Sequence, residues 1–154
     1  MRKLAILAIF LALTLLVSGC TQPAQGNAVQ YKATIEKINA EFAQVEQYMK
    51  NVNTKLASAN ADDMSTVLTS TSNDLQDAKF HVQNAQSLAH DLSGYATNAQ
   101  EQQDAQKVLT HLQYLENSLS SLNSAIEEVQ KPSPDFIVFE AKIKESNDWL
   151  SKIK

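Results

Sequence analysis

Three histidines, one cysteine and seventeen carboxylates are the residues with which this chain could do chemistry. A metal held on a helix needs ligands three or four residues apart, so that they share a face. His81, His90 and His111 have no such partner, and the sequence holds no His-Glu-x-x-His, no Glu-x-x-His and no second cysteine. They read as solvent-facing or rim histidines, and no metal is expected. A serine nucleophile needs a strained elbow or an adjacent base, yet no Gly-x-Ser-x-Gly occurs. With only three glycines there is no phosphate-cradling loop. The carboxylates mostly fall off the apolar stripes. Glu46 with Lys50 and Glu140 with Lys144 have the favourable i,i+4 spacing. No acid takes a core position, so no strongly raised carboxyl pKa is expected. The chemistry available is therefore not that of an enzyme.

The lone Cys20 is different, because of what precedes it. Arg2 and Lys3 are followed by Leu4–Val17, a run of 14 residues without a charge, and then by Ser18, Gly19 and Cys20. A basic start, an apolar stretch of this length and small residues before a cleavage point make a secretory signal. The run is short for a membrane span, which needs ~20 residues. Val17-Ser18-Gly19-Cys20 resembles the lipobox of prokaryotic membrane lipoproteins. The resemblance covers only the first 20 residues. It implies cleavage between Gly19 and Cys20, with a diacylglycerol on the Cys20 sulfur. It also implies an extracytoplasmic protein held at a cell membrane or an outer membrane. Thr21, rather than an aspartate, follows the cysteine, which in a two-membrane host points to the outer one. Two acyl chains hold a protein stably where one gives only marginal binding.

Cleavage would leave one small domain with 11 basic and 17 acidic residues, a net charge of −6. An acidic surface is a poor match for nucleic acid. It would also be repelled by anionic lipid, so the acyl chains would have to hold it at the membrane. No disulfide can staple the fold, since Cys20 has nothing to pair with. Thr21–Asn27 is short and polar, contains Pro23 and Gly26, and reads as a tether that keeps the domain close to its anchor.

From Ala28 onward the chain reads as helix. Tyr31, Ile35, Ile38, Phe42, Val45, Met49, Val52 and Leu56 alternate spacings of four and three, a heptad seam. Met64, Leu68, Thr71, Leu75, Ala78, Val82, Ala85, Ala89 and Leu92 repeat it, after Asp62-Asp63 and up to Gly94. Ala105, Val108, Leu112, Leu115, Leu119, Leu122, Ile126 and Val129 form the third seam, with Thr97 and Gln100 in capping-box spacing. Pro132 and Pro134 end it. Ser133 is placed to cap a shorter helix with Phe136, Phe139, Ile143, Ser146, Leu150 and Ile153 on its seam.

The expected organisation is a signal at 1–19, a lipidated tether at 20–27 and a domain at 28–154, with helices near 28–60, 62–93, 98–131 and 134–153. Short turns make successive helices antiparallel neighbours. Folding at the turns sets Phe42 opposite Ala78, Ile35 opposite Ala85 and Tyr31 opposite Ala89, large against small. Val67, Leu88, Leu109, Ile137 and Trp149 widen the stripes, as a bundle rather than a two-stranded coiled coil requires. The fold class is an all-α, up-down-up-down antiparallel bundle.

One layer of the core carries hydroxyls: Met49, Thr71, Leu119 and Ser146 fall at one level. Each hydroxyl is expected to bond back to its own i−4 carbonyl; the functional alternative is a small polar cavity. The alanines 78, 85 and 89 could instead line a groove where the fourth helix does not reach. Phe80 and Tyr114 lie off the seams and could belong to a partner patch. The reading is a lipid-anchored structural or protein-interaction module of the cell envelope, with no cofactor beyond its lipid. A small-ligand-binding or sensory component built on Thr71 and Ser146 is the alternative. Ligand, partner and oligomeric state are not written in the sequence.

Overall fold

The computed structural model describes residues 25–60 and 62–153, and within these every regular element is helical. α1 spans Gln25–Ser58, α2 Met64–Tyr95, α3 Ala99–Val129 and α4 Phe136–Leu150. Cys20, Gly19 and the whole signal segment lie outside the described residues. α1 starts three residues before its first apolar residue, so Gln25–Asn27, expected in the tether, belong to the helix.

The helix ends show which local signals prevailed. Gly94 does not stop α2. The helix runs on through Tyr95, and no glycine or other described residue has a positive φ. α3 is capped by Asn98 rather than Thr97: the Asn98 side chain accepts from the Glu101 amide at 2.9 Å. The Glu101 carboxylate reaches back to accept from the Thr97 amide and hydroxyl. The expected Thr97–Gln100 pair is thus replaced by Asn98 and Glu101, with Glu101 reaching the residue before the cap. α4 starts at Asp135, not Ser133, because the Asp135 carboxylate accepts from both the Ile137 and Val138 amides. The result is a helix of only 15 residues.

Successive helices pack antiparallel: α1 on α2, α2 on α3, α3 on α4. Lys55 bonds Asp74 near one end of the α1–α2 pair, and Glu41 bonds His81 further along. Between α2 and α3, Thr69 meets Gln130 at one end and Ser93 meets Gln102 at the other. The core is the set of seams. Ile38, Val52, Leu75, Val82, Leu92 and Leu112 are completely or almost completely buried. Each contributes ~1.5–3 kcal/mol relative to an exposed side chain. Ala78, Ala85 and Ala89 are buried as well, so the alanine stretch is filled core and not an open groove.

The bundle does not close. No Cα of α4 comes within 8 Å of α1 or α2, and none of α1 within 8 Å of α3. α1 is still tied to α3 where the Tyr31 hydroxyl donates to the Glu101 carbonyl at 3.2 Å, and side chains of both helices share one core cluster. α4 lies on a flank of α3 beside its seam. Ser146 meets Ser118, Trp149 meets Tyr114, and the Asp135 amide donates to Glu128. Ser146 is the one buried residue of α4. The apolar rows this leaves beside the opening (Ile35, Phe42, Met49 and Leu56 on α1, Leu115 and Val129 on α3, Ile143 on α4) are only partly buried.

Candidate functional site

The hydroxyl layer is divided between two interfaces. Thr71 lies in the seam of α2 and is completely buried, yet its Oγ1 has no hydrogen-bond partner. The expected bond back to its own i−4 carbonyl is not made. Ser146 sits on α4, which never approaches α2, and its hydroxyl pairs at 2.8 Å with that of Ser118. Thr71 and Ser146 are therefore not walls of one polar cavity. Ser146 is satisfied from a neighbouring helix, while Thr71 is an orphan whose desolvation is uncompensated. Neither serine of the Ser118–Ser146 pair is hydrogen-bonded to a histidine or a carboxylate, so no base activates either as a nucleophile.

Ser118 belongs to a stripe that the seams conceal. His111, Ser118 and Ala125 repeat every seven residues beside the main seam of α3, with Ser121 and Glu128 alongside, and all five are buried. The stripe's seven-residue spacing is in the sequence, but its polar members read as a solvated face. His111 is thus not a rim histidine. Burial, and then the nearby Lys107, push its pKa below the ordinary value. Next to it Tyr114 and Trp149 stack at 5.8 Å between ring centroids. Lys152 lies 3.7 Å from the Trp149 ring centre, a cation–π contact closing the end of α4. Tyr114 is therefore used inside the fold, whereas Phe80 stays exposed on α2.

His81 is half-buried between α1 and α2. Its Nδ1 lies 2.6 Å from the Glu41 carboxylate and its ring stacks on Tyr48. His90 is exposed. Among the described residues no group of three or more His, Cys, Asp or Glu side chains is placed to hold a metal ion. Two acids do occupy buried positions, against expectation, and both are paired. Asp74 is bonded by Lys55 at 2.6 Å. Glu128 is bonded by Lys131 and by the Asp135 amide. These bonds hold the Glu128 carboxyl below the ordinary carboxylate range. Glu116 is likewise lowered: burial opposes this, but hydrogen bonds from Gln83 and Gln86 and the charge of Lys79 outweigh it. Neither Glu46–Lys50 nor Glu140–Lys144 closes into an ion pair; Lys142–Glu145 does.

The other departure is at the turn into α4. Phe136 is 66 % exposed, Ile137 81 % and Val138 38 %. Ile137, expected to widen a core stripe, instead faces out. The same turn anchors α4 through Asp135 and Glu128, so this apolar run is held on an ordered helix start.

No helix among the described residues is long and apolar enough to cross a membrane. No protein-family model matches the chain, and neither a curated protein nor a solved structure is similar to it.

Proposed function

We propose that this is a lipid-anchored extracytoplasmic helical-bundle protein that acts as a structural or protein-interaction module and performs no catalysis. The observation that carries the reading is the Val17-Ser18-Gly19-Cys20 end of the apolar run, behind Arg2 and Lys3. Its size and order fit a cleaved signal and a lipidated cysteine. Two features support the module role. The buried Ser118–Ser146 pair is bonded to no histidine or carboxylate, and an apolar turn is displayed at the end of the bundle away from the start of α1. At ~1.5 Å per residue the 34 residues of α1 set that turn ~50 Å from the start of α1.

The test is a mass spectrum of protein purified from its native membrane. A Cys20 peptide heavier by a diacylglycerol, with residues 1–19 gone, supports the anchor. An intact N-terminus with an unmodified cysteine overturns it. Cys20→Ser should release the protein from the membrane fraction or leave its signal uncut. One observation favours the second reading, a small-ligand-binding or sensory component. The buried, unpartnered Thr71 hydroxyl is a group that a bound polar molecule would satisfy. A small molecule retained in the same spectrum, and lost in Thr71→Val, would favour that reading over the first.

A further inference from the structure

We infer that the turn into α4 is a docking site for a basic amphipathic peptide segment of another protein. The apolar part of the site is Phe136, Ile137 and Val138, three consecutive exposed side chains on the first turn of a capped helix. Leaving such side chains in water forgoes their burial free energy, and nothing among the described residues covers them. The polar part is acidic. Asp135 caps the helix beside Phe136, Glu140 lies one turn along from it, and Glu127 is exposed at the end of α3. Asp62 and Asp63 belong to the α1–α2 turn at the same end, as the Thr69–Gln130 contact between neighbouring helix ends shows. Lys131 at the end of α3 is already held by Glu128, and Lys142 on α4 by Glu145. Lys144 lies a further turn along α4.

That charge pattern selects the occupant. A second copy meeting this surface about a two-fold axis would bring Asp135, Glu140 and Glu127 against their own equivalents. Three side chains also offer only a few hundred Å², against roughly 800 Å² from each partner of a stable dimer. An anionic lipid surface would be repelled by the same acids. A segment with apolar anchors every three or four residues and Lys or Arg between them meets both requirements. The anchors cover Phe136 and Ile137, and the cations find the acidic rim.

This site specifies the partner of the interaction-module reading and rests on it. The experiment uses the full-length protein in phosphatidylcholine nanodiscs, with empty discs subtracted. The probe is a fluorescent 15-residue Leu/Lys amphipathic peptide, with a Leu/Glu peptide of identical apolar face as its counterpart. Anisotropy should report binding of the Lys peptide and not the Glu peptide, weakening as salt rises. Phe136→Ser and Ile137→Ser should each lower affinity about tenfold or more. Glu127→Lys with Glu140→Lys should remove most of the salt dependence. Both apolar positions are exposed, so thermal melts of the serine variants should match the parent and exclude unfolding. Equal binding by Ile137→Ser, equal binding of the Glu peptide, or no binding overturns the site. So does self-association, or insertion into vesicles, that Ile137→Ser abolishes. A small molecule in place of a protein partner on the native protein overturns the parent reading instead, so the two failures are distinct.

Discussion

At the scale of single residues, the informative groups are those whose surroundings disagree with their chemistry. Thr71 hides a hydroxyl that bonds nothing. Thr71→Val keeps the shape and removes the desolvation cost, so it should stabilise the fold by about 1 kcal/mol in chemical denaturation. A loss of stability would mean that the hydroxyl has a partner in solution. Gly94 is helical, has no atom within 4 Å of an added Cβ and has no positive φ. Gly94→Ala should therefore raise the melting temperature, by about 0.5 kcal/mol in stability. His111 is the pH-sensitive position. Its folded pKa lies below the ordinary 6.5, so its stabilising contribution is present above that value and is lost as pH falls through the folded pKa. A decline in melting temperature below about pH 6.5 that disappears in His111→Gln is the expected result. Tyr31 runs the other way. Burial first, then Glu101 and Asp104, push its phenol up to about 12. Its contribution is complete below 10 and lost as pH rises towards 12.

At the scale of the element, α4 departs furthest from its expected place. It is held by two caps at one end, a hydroxyl pair in the middle and a Tyr114–Trp149–Lys152 stack at the other. It adds little core, since Ser146 is its only buried residue. Ending the chain after Lys131 should therefore leave α1–α3 cooperatively folded, with circular dichroism losing about one short helix. Glu128→Ala should loosen α4 alone, visible as faster amide exchange at Ile137 and Val138. The element boundaries were legible to within a few residues, and α1–α3 were legible almost side chain by side chain. Spacings of three and four put Ile38, Leu75 and Leu112 in the core, where they are. The flank on which α4 packs was not legible. Periodicity says which residues share a face, not which neighbour that face meets. The stripe that receives α4, with His111, Ser118 and Ser121, looked like a solvated surface because its groups are polar. The hydroxyl layer misled for the same reason: Ser146 meets Ser118 on α3, while Ser72, beside Thr71, meets Asn123 more than a turn further along that helix.

At the scale of the whole molecule, acid should act through paired carboxylates. Glu116 and Glu128 both sit below their ordinary 4.5. Their contribution is complete above that value and is lost as pH falls through their folded values, so unfolding should steepen below about pH 4.5 in a thermal scan. The packing also follows a simple rule. Apart from the Tyr31–Glu101 bond, backbone proximity links each helix only to the one before it and the one after it. Such a chain has no wait built into it. As it emerges N-terminus first, α2 can zip onto α1 before α3 exists, and α3 onto α2 before α4 does. Low contact order of this kind makes folding fast. The same serial order sets how the protein would fail under load: tension applied at the N-terminus breaks the Tyr31–Glu101 bond and strips α1 from α2, and the pairs beyond it are left standing.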